Sequence, residues 1–148
     1  EMIAHCRQEY PKEACGILAA EARSNSGLAS ALRAPGSPGG APQASAVTQV
    51  YPMTNVEASP IGYSMDPKEQ LRVDKQMRTL GQRMAGIYHS HTASAAYPSS
   101  VDVSLAMSPD VSYVLVSLKD RDHPDLKSYR IDGATITEEP VRISRVLM

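Results

Sequence analysis

The segment GIYHSHTASAAYPSSVD, residues 86–102, sets two of the chain's four histidines one residue apart and follows them with Ser99 and Asp102. On a β-strand, residues two apart point to the same side, with about 7 Å between their Cα atoms. His89 and His91 can therefore aim both imidazoles at one point, and neutral imidazole nitrogens bind zinc at about 2.0–2.1 Å. Asp102 can supply a third ligand if the loop after Thr92 turns back, because it falls in the first turn of the helix that SSVDVSLAM predicts. Two histidines and a carboxylate leave a fourth position for water, whose pKa the ion lowers toward neutrality. That chemistry is metal-assisted hydrolysis. Each residue also has a plainer role. A pair of histidines can stand by chance at a strand end, and Asp favours the first turn of any helix through the helix dipole. Ser99 suits the N-cap of the same helix as well as a hydroxyl donor to a developing oxyanion.

Several elements must position these residues. EMIAHCRQEYP predicts a short helix with Met2, Ile3 and Cys6 on one face and Pro11 just past its end. ACGILAA, residues 14–20, reads as a buried strand, and VTQVYPM, residues 47–53, as a second. DPKEQLRVDKQMRTLGQRM predicts a longer helix: Asp66 as N-cap, Pro67 at the first helical position and Glu69 completing a capping box. Val73, Met77, Leu80 and Met84 give it one apolar face. AGIYHSH should be a strand, SYVLVSL a central one, and LKSYRI and TITEEPVRI two more joined at the turn signal DG. Strands interleaved with helices predict an α/β (α+β) domain with a mixed central sheet flanked by helices. RSNSGLASALRAPGSPGGAPQASA has no sustained period and little to bury, so an insertion at about 22–46 is expected to be a mobile surface segment.

Composition narrows the class. At 148 residues the chain fits one domain with a real core, residues 1–148. Its 42% hydrophobic and 21% charged residues exclude a disordered or membrane chain. The apolar run VSYVLVSL is too short to span a bilayer. A net charge of −1 offers no electrostatic reason to bind nucleic acid or anionic lipid. The sequence opens at Glu1 without an initiator Met, so a few upstream residues are expected to be missing, and nothing at its start resembles a signal peptide. Cys6 and Cys15 are too few for a disulfide framework, which predicts a reduced, cytoplasmic setting. Cys15 stands in an apolar run and is expected to be a small buried hydrophobe rather than a nucleophile. A zinc deaminase would need a Pro-Cys-x-x-Cys pair that is missing here. His5 is expected at a helix surface or edge, His123 in a charged turn, and Tyr88 on the face opposite the histidines.

The order His89, one residue, His91, seven residues, Ser99, two residues, Asp102 resembles the signature of the JAMM (MPN+, Mov34) zinc metallopeptidase family. YPKEACGILAA is similar to the early strand of its bacterial branch, which reads Pro-x-Glu-x-Cys-Gly and puts Glu13 at the family's general-base position. Taken alone, Glu13 would be a solvated carboxylate at a strand entry. IYHSHTASAAYPSSVDVSLA, YVLVSL, LKSYRIDGATITEEPV and PMTNVEASP resemble the branch that removes cysteine from a ubiquitin-like sulfur carrier. The likeness spans most of the chain outside the insertion. Thr92 stands where many eukaryotic members have Pro, and Ala20 where Gly often ends the first strand motif. Neither is a ligand or the base.

The resemblance implies the cytidine-deaminase-like JAMM/MPN fold and one Zn2+ held by His89, His91 and Asp102. It implies Glu13 as general base and Ser99 as a partner of zinc in stabilising the oxyanion. The implied substrate is a ubiquitin-like sulfur carrier protein ending in Gly-Gly, cut after those glycines to release cysteine. Trimming of a short carrier extension and removal of ubiquitin-like conjugates are the alternatives. A non-catalytic scaffold of the same fold would typically lack one or more of the five residues present here.

Overall fold

A six-stranded mixed sheet organises the chain in the computed structural model, which describes residues 1–22 and 46–143. The elements are α1 (Met2–Glu9), β1 (Cys15–Glu21), β2 (Val47–Met53), α2 (Pro67–Thr79), β3 (Gln82–His91), α3 (Ser100–Leu105), β4 (Ser112–Ser117), β5 (Asp125–Asp132) and β6 (Thr135–Glu139). The spatial order is β2-β1-β3-β4-β5-β6. Every neighbouring pair is antiparallel except β3–β4, whose parallel pairing needs a crossover that carries α3. The sheet with its flanking helices makes the α/β (α+β) domain that the pattern predicts. The expected mobile insertion at about 22–46 falls almost wholly outside the described residues.

Alternation along the strands divides the core into two faces. On one face α2 lays Val73 and Met77 over Cys15, Ile17, Ala19, Tyr51 and Met53. Further along the same face, Leu115, Tyr129 and Ile131 pack with Ala96. His89 pairs with Cys15 of the first cluster and Leu115 of the second, so the histidine face lies at the seam between them. On the other face Cys6 of α1 packs with Leu18, Tyr88, Val114 and Val116. Tyr88 is thus on the opposite face, as its position on the strand requires. A Cβ on Gly16 would fall inside the Tyr88 ring, so only glycine lets the ring lie flat on β1.

Two expectations are corrected. The α2 helix stops at Thr79, with Gly81 in the left-handed region at φ +66°; Leu80 is 55% exposed and Met84 belongs to β3. Asp66 caps α2 through Lys68 N–H, but Glu69 completes no capping box. Its carboxylate accepts instead from the Thr54 N–H at 2.7 Å and the Thr54 hydroxyl at 3.0 Å, tying α2 to the end of β2. His5 keeps an edge position, half-buried, with its Nδ1 hydrogen-bonded to the Tyr88 hydroxyl at 2.8 Å. No helix among the described residues is long and apolar enough to cross a membrane.

Candidate metal centre

The C-terminal end of β3 places His89 and His91, both buried, on the seam face, while Ser90 between them points to the other. Their Nε2 atoms lie 3.2 Å apart. After His91 the chain turns back. The Ala95 carbonyl meets His91 Nδ1 at 2.9 Å, the Ser117 hydroxyl donates to Ser94 O at 2.6 Å, and the Tyr129 hydroxyl donates to Ala96 O. The return leads to Ser99, whose hydroxyl accepts the Asp102 N–H at 3.1 Å, while Asp102 accepts the Ser99 N–H at 2.8 Å. This reciprocal capping box fixes the Asp102 carboxylate over the histidines. Its Oδ1 lies 3.2 Å from His89 Nε2 and its Oδ2 3.0 Å from His91 Nε2.

These separations test whether the residues suit a metal ion. Ligand atoms placed tetrahedrally at 2.0–2.1 Å from zinc are about 3.3–3.4 Å from one another. The two imidazole nitrogens, 3.2 Å apart, are close to that spacing, and Asp102 spans them with one carboxylate oxygen toward each, Oδ1 at 3.2 Å from His89 and Oδ2 at 3.0 Å from His91. The hydrogen bonding agrees. With Nδ1–H given to Ala95, the neutral His91 ring turns its Nε2 lone pair toward a carboxylate oxygen and a second imidazole nitrogen. In that tautomer Nε2 has no hydrogen for the carboxylate, and a cation there would take the place of the proton that a charged ring gives to Asp102. Among the described residues, His89, His91 and Asp102 are the group of such side chains whose ligand atoms converge in this way.

The electrostatics follow from the same contacts. Burial pulls the His89 imidazole below its ordinary value, with the Asp102 hydrogen bond opposing. Burial lowers His91 too, but its bonds to Asp102 and Ala95 outweigh that and leave it raised. Burial would raise Asp102, yet the hydrogen bonds from His89 and His91 carry it well below the usual carboxylate range.

Glu13 immediately precedes β1. The Ser90 N–H donates to Ala14 O at 3.0 Å, extending the β1–β3 register so that Glu13 stands across from His91. Its side chain is buried, not solvated. Burial pushes its carboxyl up to about 7; His91 opposes that rise, and the charges of Asp102 and Glu57 add to it. Cys15, directly across from His89, is fully buried, and burial pushes its thiol up to about 12. Such a thiol suits a small buried core residue, as expected from its apolar run, rather than a reactive thiolate.

The structure thus brings His89, His91 and Asp102 into one triangle, joins Ser99 to it through the cap, and sets Glu13 alongside. Residues outside the motif also reach the site. The Tyr63 ring stacks on His89, 4.6 Å between centroids and 28° between planes. Ser90 Oγ accepts the Ala14 N–H at 2.8 Å, anchoring the residue after Glu13. Tyr63 lies in an aperiodic loop, where no sequence pattern pointed to the site. His123 stays in its exposed turn with Asp120, and Tyr97 packs edge-on against Tyr129.

A sheet of this topology with a buried His/His/Asp triangle defines a JAB/MPN domain, and the chain belongs to the family of prokaryotic homologs of the JAB domain, which matches residues 1–132. The chain is 42% identical over 143 residues to the CysO-cysteine peptidase of Mycobacterium tuberculosis, covering 96% of this chain and 84% of that protein. It is 30% identical over 107 residues to a probable TtuB-protein conjugate cleaving protease of Thermus thermophilus, covering 72% and 57% of the two chains. The solution structure of a Desulfitobacterium hafniense protein superposes with a TM-score of 0.76 at 36% identity, over 99% of this chain and 88% of that one.

Proposed function

We propose that this chain is a zinc-dependent peptidase that cuts the amide bond after the C-terminal Gly-Gly of a ubiquitin-like sulfur carrier protein, releasing cysteine. The observation that carries the reading is the triangle of His89, His91 and Asp102 with buried Glu13 beside it. The 42% identity to a CysO-cysteine peptidase supports the choice of substrate. One Zn2+ would be held by the three ligands and, when bound, would supply Lewis acidity and an acidified water.

Glu13 takes the proton of the attacking water and passes it to the departing amine; burial suits its carboxyl to this exchange near neutral pH. Ser99 uses an oxygen lone pair for the helix cap, so its hydroxyl hydrogen is free to meet the carbonyl oxygen as charge builds there. The packing of His89 and His91 into the sheet holds both rings still through the reaction. A Gly-Gly tail suits such a site because glycines let the chain extend fully and approach closely, while the folded carrier stays outside. The two buried, unpaired cysteines support a reducing, cytoplasmic setting.

The name of the Thermus relative favours a second reading, removal of whole protein conjugates. Intact mass of a carrier bearing a C-terminal cysteine, before and after incubation with zinc-loaded protein, tests both. Loss of one cysteine residue with the wild type, and none with Glu13→Gln, is the expected result. An unchanged carrier, together with cleavage of a conjugate through the same terminus, would replace the first reading with the second.

A further inference from the structure

The loop 54–65 between β2 and α2 touches the site at three points. The Glu13 N–H donates to Ser59 O at 2.8 Å, the Thr92 hydroxyl donates to Pro60 O at 2.8 Å, and Tyr63 stacks on His89. One side chain, Asn55, ties this loop together. Its Oδ1 accepts the N–H of Glu57 at 3.1 Å and of Ser64 at 3.0 Å. Its Nδ2 donates to Gly62 O at 3.0 Å and to Glu13 O at 3.0 Å. The carboxamide makes four bonds, using both donors and both acceptor positions. Two of the residues it holds, Gly62 and Ser64, flank Tyr63 directly. The fourth bond leaves the loop and grips the peptide of Glu13 itself.

We infer that Asn55 is the positioning residue of the centre, setting the base Glu13 and, through Tyr63, the ligand His89 in one rigid frame. The inference rests on the reading of Glu13 as base. Neither aspartate nor alanine fills the place. Aspartate keeps the two accepting bonds but has no hydrogen for Gly62 O or Glu13 O and sets a charge against both carbonyls, while alanine loses all four contacts. Displacing a reacting group by about 1 Å costs on the order of 10²-fold in rate, even from a residue that never touches the substrate.

The test compares wild type, Asn55→Ala and Asn55→Asp as zinc-loaded full chains acting on a carrier with a C-terminal cysteine. The expected result is a kcat lower by about 10²-fold for Asn55→Ala and by at least about tenfold for Asn55→Asp. KM and zinc per chain at saturating zinc should stay near wild type; the lost hydrogen bonds lower the melting temperature, so rates are compared well below it, where both variants are fully folded. NMR gives a readout free of turnover. The stacked Tyr63 ring shifts the His89 ring protons upfield, and in the variants they should move back toward ordinary positions. Unmoved His89 protons, or a kcat within about threefold of wild type in both variants, would overturn the inference. So would a loss of activity that merely follows loss of zinc or of the fold. A wild type that fails on every carrier refutes the proposed substrate instead, and the NMR comparison still decides the role of Asn55.

Discussion

Replacing Asp102 by asparagine separates its two roles, because an amide oxygen can still accept the Ser99 N–H while the negative charge toward His89 and His91 is gone. The α3 cap should survive and metal affinity should fall. Changes in the groups that merely orient ligands cost about 10–100-fold in affinity, so removing a charged ligand should cost at least about 100-fold. At zinc 100 times the wild-type Kd, binding stabilises the wild type by about 2.7 kcal/mol. A variant whose Kd has risen 100-fold gains only RT ln 2, about 0.4 kcal/mol, at the same concentration. The difference of about 2.3 kcal/mol corresponds to about 5–9 °C for a chain of this size. Thermal melts with and without zinc, begun from chelated protein, read this directly. Equal zinc-induced rises for wild type and Asp102→Asn would refute Asp102 as a ligand, and no rise in the wild type would refute the centre itself.

The other predictions concern charge, capping and packing. Glu13 is raised in the folded chelated protein, so its contribution to stability is fully present below 4.5 and lost as pH rises through about 7. Chelated Glu13→Gln should therefore gain on wild type in urea midpoint between about pH 5 and pH 8; a constant difference across that range would show that the carboxyl is not buried in solution. Ser99→Ala should cost about 1 kcal/mol of stability through the lost cap and lower kcat by about 10²–10³-fold. Steady-state rates beside a urea melt measure both, and an unchanged kcat would leave Ser99 as a cap only. Gly16→Ala drives a methyl group into the Tyr88 ring and should destabilise by about 1–3 kcal/mol in urea unfolding. A shift under about 0.5 kcal/mol would mean that the ring moves aside freely.

The histidine pair and the helix that brings Asp102 back were legible because both depend on local periodicity. Two residues apart on a strand means one face, and Ser99 with Asp102 three residues on is a capping pattern complete in itself. The end of α2 was not legible, because Leu80 and Met84 continue the apolar spacing across Gly81, and only the left-handed backbone at Gly81 shows the break. Glu69 fits a capping box by spacing, but Thr54 offers it an N–H and a hydroxyl from 15 positions away. His5 found the Tyr88 hydroxyl across 83 positions, a partner that no helix pattern can name. Asn55 and Tyr63 were hidden for the same reason. Their loop has no period, and its shape comes from the bonds of the Asn55 carboxamide and from contacts with Glu13, His89 and Thr92, all far away in sequence.

The α3 helix is only six residues long and none of them is fully buried, so it lacks the length that lets a helix stand unaided. Its first turn is held by the same carboxylate that faces the two imidazoles. One carboxylate thus serves the helix and the centre together, so in chelated protein Asp102→Ala should loosen α3 as well as remove a ligand, whereas Asp102→Asn, which keeps an acceptor for the Ser99 N–H, should leave the turn wound.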